Sequence, residues 1–136
     1  MASIFTKIIN REIPGYIVAE DEYNIAILDI NPLVAGHTLV IPKDEVDYLF
    51  DMPDESYVHL NLFLKKVAAA IKAVVPCIRV GVAVVGLEVP HAHIHLIPLN
   101  SMGDINFSKP KLKFSQQEFE ETAAKIRDEF TKPQAS

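Results

Sequence analysis

Three histidines in the segment Pro90–Pro98 alternate with apolar residues along the chain. Because successive side chains of a β-strand point to opposite faces, a strand here would place His91, His93 and His95 on one face. The other face would carry Ala92, Ile94 and Leu96, which we expect in the core. Three neighbouring imidazoles all need hydrogen-bond partners, which a packed core seldom supplies in triplicate. The spacing therefore predicts a chemical role.

A metal site is one chemistry that such a row offers. Along an extended strand, the Cα atoms of His91 and His95 lie roughly 13 Å apart, near the limit for two imidazoles that share one ion. Tetrahedral zinc, with Zn–N bonds of about 2.0 Å, would need a sharp bend in the strand or a further ligand such as His37. No Cys, Asp or Glu immediately flanks the run. The spacing disfavours a metal, and we predict neither a metal nor a cofactor.

Nucleophilic catalysis is the other chemistry. A neutral imidazole, with an ordinary pKa of about 6.5, attacks phosphorus when its second nitrogen is held as a hydrogen-bond donor. A backbone carbonyl or a neighbouring histidine can hold that nitrogen. A flanking histidine can bind the phosphoryl oxygens or protonate the leaving group. The row of histidines supplies these roles without a metal.

The elements that position these histidines can be read from the hydrophobic pattern. Short apolar runs between turn residues predict five strands, at Tyr16–Glu20, Asn24–Asp29, His37–Pro42, Ile78–Val85 and His91–Leu99. The first two strands read as a hairpin. Helical spacing predicts one long helix from Asp54 or Ser56 to Val75, and its apolar face is formed by Val58, Leu62, Val67, Ile71 and Val74.

A second helix is predicted near the C-terminus. The sequence Ser115-Gln116-Gln117-Glu118 is a capping box, and one helical face then carries Phe119, Ala123, Ile126 and Phe130. Two groups of strands, with a long helix between them and another at the end, predict an α+β fold with a mostly antiparallel sheet. The length of 136 residues indicates a single domain over 1–136, with residues 132–136 frayed.

Composition excludes several classes of function. The formal net charge of −5 provides no basic field for a nucleic acid backbone, although local groups can still hold a small anion. The single cysteine, Cys77, excludes an internal disulfide and fits a reducing compartment. We recognise no signal peptide and no uninterrupted apolar run of roughly 18 residues. We therefore expect a cytoplasmic protein without nucleic acid or membrane partners.

The run His91-Ala92-His93-Ile94-His95-Leu96-Ile97 resembles the signature of the histidine triad (HIT) nucleotide hydrolases and transferases. Residues 4–14 also resemble the family's N-terminal segment, and residues 29–32 and 36–43 resemble its central strands. Together these segments cover most of residues 4–99 in the family's order. The resemblance implies a compact α+β fold. It also implies a symmetric homodimer, in which the long helix and an adjacent strand pair across the two-fold axis.

The resemblance further implies a role for each matching residue. His93 would form a covalent nucleotidyl intermediate, and His91 would orient it. His95 would contact the phosphate or the leaving group, His37 would be the fourth family histidine, and Asp29 would accept hydrogen bonds from the ribose hydroxyls. A slot for a purine base would be formed by Ile4, Phe5, Ile8, Ile27 and Ile30. The segment before the triad would add further nucleotide contacts from Gly86, Glu88 and Val89.

This chain departs from the family pattern at several positions. Leu87 stands where the family has a glutamine. Glu88 stands where a small hydroxyl often donates to the phosphate, and a carboxylate there would repel a phosphate if it pointed inward. Some members bind zinc through two N-terminal cysteines, but Ser3 and Thr6 occupy those positions, so we predict no structural zinc. The family's frequent C-terminal tryptophan is also missing.

These features predict a metal-independent hydrolase of a nucleoside 5′-phosphate derivative, such as a purine nucleoside phosphoramidate, in which His93 attacks the α-phosphorus. A dinucleoside polyphosphate hydrolase is the nearest alternative activity, and it needs room for a second nucleotide. A nucleotide-binding regulatory module with little turnover is another alternative, which Leu87 and Glu88 favour. A metal-binding domain is the most distant one.

Overall fold

The computed structural model describes residues 2–133 and has the predicted α+β fold. Its main elements are α1 (Ile4–Ile9), β1 (Ile17–Glu20), β2 (Asn24–Leu28), β3 (Thr38–Pro42), α2 (Asp54–Val74), β4 (Arg79–Ala83), β5 (Ile94–Leu99) and α3 (Gln116–Thr131). Two short 3-10 turns, Leu49–Asp51 and Met102–Ile105, follow β3 and β5. The prediction of frayed residues at 134–136 lies outside the described residues.

The five strands form one antiparallel sheet in the order β1-β2-β3-β5-β4. The last strand, β5, inserts between β3 and β4, and Leu39 faces His95 in the β3–β5 register. His37 precedes β3 after Gly36, whose φ of 86° lies in the left-handed region that favours glycine. A Cβ at Gly36 would also approach Val75 Cγ2 to 2.7 Å. This tight turn brings His37 beside the middle of β5.

Both faces of the sheet are covered, which explains why β2 and β3 are buried along their whole lengths. On one face, α2 and α3 pack with the strands around residues such as Val40, Leu60, Leu96 and Ile126. On the other face, α1 covers a smaller cluster, formed by Phe5, Ile8, Ile25, Ile27, Leu39 and Ile41. Alternate residues of β2 and β3 therefore contribute to different clusters, as the two-residue period of a strand requires.

The helices confirm the predicted positions, with one correction to a face. The capping box is present in α3, where Ser115 Oγ accepts from the Glu118 amide at 3.1 Å. In α2, the predicted buried residues Val58 and Leu62 are instead 55% and 64% exposed. The buried stripe of that helix is formed by Leu60, Phe63, Val67, Ala70 and Ile71. Helix α1, which the sequence pattern did not predict, begins at an N-cap serine.

The predicted strand His91–Leu99 is too long, because β5 begins only at Ile94. Upstream of Ile94, the chain bonds to other segments: the Ala92 amide donates to the Val46 carbonyl at 2.6 Å, and the His91 amide donates to the Val89 carbonyl at 2.8 Å. The other predicted strands differ from the observed ones by one or two residues at their ends. Within residues 2–133, no helix is both long enough and apolar enough to cross a membrane.

Candidate active site

A cavity of about 460 Å³ opens at the point where β5, the start of β3 and the end of β2 meet. The loop between β4 and β5 forms one wall, and the segment after β5 forms another. Its lining residues are Asp29, Asn31, His37, Val85, Gly86, Leu87, Glu88, Val89, His93, His95, Phe107 and Lys111. The cavity has the size of a small-molecule site and brings together seven of the residues that the sequence analysis assigned to the site.

The tautomer of His93 follows from its backbone partner. His93 Nδ1 lies 2.8 Å from the carbonyl oxygen of His91, which can only accept a hydrogen bond. The proton of the neutral ring therefore sits on Nδ1, and Nε2 keeps its lone pair. The ring of Phe5 packs edge-on against His93 at a centroid distance of 5.0 Å, which restricts its rotation. His93 is thus held in the form that a nucleophile needs.

The tautomers of His37 and His95 follow in the same way. The Leu33 amide donates to His37 Nδ1 at 3.0 Å, so the proton of His37 sits on Nε2. His37 Nε2 then donates to His95 Nδ1 at 2.9 Å. His95 must therefore carry its own proton on Nε2. The ring centroids of His93 and His95 are 5.2 Å apart. His93 therefore offers the lone pair of its Nε2 beside a ring, that of His95, which offers an N–H.

Burial, with smaller contributions from the neighbouring His95 and Lys111, lowers the pKa of His37 to about 3. Burial likewise lowers the pKa of His95 to about 4, with a smaller contribution from His93. Both rings are consequently neutral at pH 7. The hydrogen-bond directions between His37 and His95, which assume neutral rings, therefore apply at physiological pH.

The depressed pKa values predict that the free energy of unfolding falls as the pH is lowered from 6.5 to about 4. In that range the unfolded chain protonates His37 and His95 while the folded chain does not, so stability rises with pH. Each ring contributes at most about 1.4 kcal/mol per pH unit. Urea unfolding at pH 7 and pH 5 measures the effect. A His37→Gln variant should lose part of the pH dependence, and an unchanged pH dependence in that variant would contradict the prediction.

His91 lies apart from the other two histidines of the run, which corrects the prediction of three imidazoles on one exposed face. Its ring is fully buried, Nε2 donates to the Pro42 carbonyl at 2.7 Å, and Nδ1 accepts from Ser3 Oγ at 2.7 Å. The face changes because residues 91–93 precede the regular strand. The group of His91 that contacts His93 is its main-chain carbonyl and not its imidazole.

Asp29 ends β2 at the cavity wall, and its Oδ2 lies 3.6 Å from His37 Nε2. Its Oδ1 accepts from the Asn31 amide at 2.8 Å, which fixes the carboxylate. Burial raises the pKa of Asp29, and the nearby Glu88 carboxylate acts in the same direction. Glu88 itself lines the cavity and is exposed, whereas the side chain of Leu87 is turned almost entirely to solvent.

Three of the five residues of the predicted purine slot lie together in the structure, and the other two lie apart from them. Phe5, Ile8 and Ile27 are buried in the α1 cluster, against which Val89 of the cavity wall also packs. Ile4 and Ile30 are 51% and 61% exposed, and Ile30 lines a different cavity together with residues of α3. Val89, together with the packing of Phe5 against His93, connects the cavity with the buried part of the predicted slot.

Sequence reasoning missed the residues that the segment after β5 brings to the cavity. Phe107 packs edge-on against His95 at 4.9 Å between centroids, and Lys111 adds a positive charge near Asp29 and His37. The Leu112 amide donates to the Pro32 carbonyl at 2.9 Å, which ties this segment to the turn after β2. That contact is long-range, and the local pattern around residues 107–111 contains no signal of it.

Asp29, His37 and His95 are close enough to be considered as metal ligands, since one ligand atom from each lies within 4.8 Å of the others. The directions of the hydrogen bonds at His37 and His95 argue against a metal site. His37 Nδ1 already accepts from an amide, so Nε2 carries a proton and has no lone pair for an ion. The nitrogens of His37 and His95 are also 2.9 Å apart, closer than the roughly 3.3 Å between two ligands of tetrahedral zinc. The set fits a hydrogen-bonded relay better than a metal.

Comparisons with known proteins agree with this architecture. Residues 10–102 match the family model described as HIT domain. An uncharacterised HIT-like protein of Borreliella burgdorferi is 38% identical over 90% of this chain and 94% of its own length. An adenosine 5′-monophosphoramidase of Schizosaccharomyces pombe is 32% identical over 93% of this chain and 100% of its own.

The solved structures include a zinc-bound histidine triad family protein of Mycobacterium smegmatis, at a TM-score of 0.77 and 27% identity. The match covers 96% of this chain and 94% of that one. The matching family model, the relatives and the shared fold all lead to the same assignment. This chain belongs to the HIT domain family.

Proposed function

We propose that this protein hydrolyses a nucleoside 5′-phosphate derivative, such as a purine nucleoside phosphoramidate, through a nucleotidyl intermediate on His93. The observation that carries the proposal is the fixed tautomer of His93, whose Nδ1 proton is held by the His91 carbonyl while Nε2 keeps its lone pair at the cavity. The name of the Schizosaccharomyces pombe relative, an adenosine 5′-monophosphoramidase, supports the substrate class.

In the first step, Nε2 of His93 forms a bond to the α-phosphorus and the bond from phosphorus to the leaving nitrogen breaks. The leaving nitrogen keeps the bonding electrons and takes a proton from solvent. The His93 ring becomes cationic, and the His91 carbonyl stabilises it through the Nδ1 hydrogen bond. His95 Nε2–H donates a hydrogen bond to the charge that develops on the phosphoryl oxygens or on the leaving group.

In the second step, water attacks the phosphorus and the bond to Nε2 breaks, so the electron pair returns to His93. The proton of the water passes to solvent, and the nucleoside monophosphate leaves. His37 keeps His95 in the donor tautomer throughout, because its own direction is set by the Leu33 amide. The carboxylate of Asp29 offers acceptors to the ribose hydroxyls, and Val89 and Phe107 offer apolar surface to the base.

The direct test follows AMP release from adenosine 5′-phosphoramidate by the wild-type protein in buffer with a metal chelator. We expect steady turnover that the chelator does not change. Nucleotide binding without turnover would contradict hydrolysis and favour the binding-module alternative. Turnover that stops with chelator and returns with zinc would contradict the metal-independent mechanism. Faster cleavage of a dinucleoside polyphosphate than of the phosphoramidate would instead favour that alternative.

We also propose that the protein acts as a homodimer. Strand β4 is an edge strand, so one side of its backbone has no partner strand among residues 2–133. Large apolar side chains are exposed on β4, on the residue before it and on the adjacent helix α2: Val82, Ile78, Val58 and Leu62. A second copy that paired with β4 would cover this unpartnered apolar surface.

A charge in that surface tests the dimer. We expect the wild-type protein to sediment as a dimer and Leu62→Glu to sediment as a monomer, because a buried unpaired carboxylate is costly at an interface. Met102→Glu is the matched control, since Met102 is also exposed but lies in the turn after β5. A monomeric wild-type protein, or a dimeric Leu62→Glu variant, would contradict the proposal.

A further inference from the structure

The loop after β3 and the start of α1 meet at the buried ring of His91. The carboxylate of Glu45 accepts two hydrogen bonds at Oε1, from the Ser3 amide at 2.6 Å and from the Thr6 hydroxyl at 2.8 Å. The Ser3 hydroxyl in turn lies 2.7 Å from His91 Nδ1. These four residues, Ser3, Thr6, Glu45 and His91, form one network, which we call the Glu45 network.

The direction of each hydrogen bond in the Glu45 network is determined. The Pro42 carbonyl only accepts, so His91 carries its proton on Nε2 and presents a lone pair at Nδ1. Ser3 Oγ must donate to that lone pair, and it also accepts from the Thr6 amide at 3.0 Å. The hydroxyl of Thr6 is free to donate to Glu45. Each hydrogen bond of the Glu45 network therefore pairs one donor with one acceptor.

The Glu45 network ends at the nucleophile. His91, held by Ser3 and Pro42, is the residue whose main-chain carbonyl accepts the proton of His93 Nδ1. The next residue after Glu45 reinforces this, because the Val46 carbonyl accepts from the Ala92 amide at 2.6 Å. Residues 45 and 46 therefore hold the segment 91–92 from two sides. That segment has no strand partner of its own, since β5 begins at Ile94.

We infer that Glu45 is a positioning residue for His93: it orients Ser3 and Thr6, which hold His91 and thereby the carbonyl that sets the tautomer of the nucleophile. The inference rests on the proposed function for His93. The hydrogen bonds from the Ser3 amide and the Thr6 hydroxyl lower the pKa of Glu45 to about 2, so the carboxylate stays charged at neutral pH. Residues at the start of α1, far from the cavity in sequence, then affect catalysis without touching the substrate.

Three variants test the inference with matched chemistry. Glu45→Ala removes the acceptor, and Glu45→Gln keeps an oxygen acceptor at the same place. Glu20→Ala is the control, because Glu20 also holds two partners at short range, Arg11 and Lys43, and its side chain is 31% exposed against 38% for Glu45. Neither Arg11 nor Lys43 is among the hydrogen-bond or ion-pair partners of His91, which are Ser3, Thr6, Pro42 and Glu45.

We expect Glu45→Ala to lower kcat roughly 10-fold with little change in KM, since misplacement of a reacting group by about 1 Å costs up to about 100-fold. Glu45→Gln should stay within about twofold of wild type, and so should Glu20→Ala. A Glu45→Ala variant with unchanged kcat would overturn the inference. So would a Glu20→Ala variant that loses as much activity as Glu45→Ala, because the loss would then reflect stability alone.

The ¹⁵N chemical shifts of the histidine rings provide a readout that does not depend on turnover. In the wild-type protein, His93 should show a protonated Nδ1 and His91 a protonated Nε2. In Glu45→Ala, we expect the His93 signals to move towards a mixture of tautomers. Unchanged tautomers in that variant would overturn the inference. If the wild-type protein shows no turnover but Glu45→Ala still shifts the His93 tautomers, the proposed function fails while the positioning role of Glu45 stands.

Discussion

His93→Ala is expected to lower kcat for adenosine 5′-phosphoramidate by roughly 10⁴-fold or more, because the variant has no group that can form the nucleotidyl intermediate. The loss should appear in kcat, since the cavity walls that hold the nucleotide remain. The fold around the cavity should also persist, because Ala92 and Ile94 on either side of His93 keep their places in the hydrophobic core. Steady-state kinetics with both proteins at equal folded concentration measure the effect.

His59→Ala is the matched control for His93→Ala. His59 is an exposed histidine of α2 that packs edge-on against Tyr23 at 4.9 Å, outside the cavity. It should retain wild-type kcat. If His93→Ala kept more than about a tenth of the activity, far above the loss expected for a missing nucleophile, His93 would not be the attacking group.

His95→Ala is expected to lower kcat by roughly 10²- to 10³-fold, which is the usual cost of removing one preorganised donor to a developing charge. The structure predicts that the donor is Nε2–H, because His37 Nε2 already donates to His95 Nδ1. Glutamine places its amide nitrogen near the position of histidine Nε2. We therefore expect His95→Gln to recover part of the lost kcat, and the ratio of the two variants measures the donor's contribution.

A comparison of two substrates shows whether the Nε2–H of His95 donates to the leaving group or to the phosphoryl oxygens. If His95 donates to the leaving group, its loss should slow a phosphoramidate far more than a substrate with a better leaving group. If it donates to the phosphoryl oxygens, the loss should be similar for both. A His95→Ala variant with wild-type kcat on either substrate would contradict a catalytic role for His95.

Periodicity predicted those parts of the structure that depend on local pattern. The alternation of histidines with apolar residues correctly placed Ala92, Ile94 and Leu96 in the core. The capping box at Ser115 correctly marked the start of α3. In both cases, the physical cause is a contact within a few residues along the chain, so the sequence contains it.

Other parts depend on contacts between distant segments, which local pattern does not contain. His91 leaves the shared face because Ser3 and Pro42 supply partners for its ring, 88 and 49 residues away. Lys111 reaches the cavity because the segment after β5 is tied to the turn at Pro32. The exposed face of α2, with Val58 and Leu62, was mistaken for its buried face because both sides of that helix carry apolar residues.

The donor directions around His93 and His95 have a common origin in the backbone. The His91 carbonyl and the Leu33 amide each leave only one possible direction for the hydrogen bond that they make. The backbone groups therefore fix which nitrogen of each neutral ring carries the proton. One ring presents a lone pair and the other presents an N–H.

Trapping the covalent intermediate tests the central claim most directly. Wild-type protein would be mixed with adenosine 5′-phosphoramidate, quenched in alkali within a single turnover, and analysed by mass spectrometry of the intact chain and of its peptides. We expect a mass increase of one adenylyl group on the peptide that contains residues 91–95, located at His93 and lost in His93→Ala. Rapid turnover without any adduct on the chain, or an adduct on a different residue, would contradict the account.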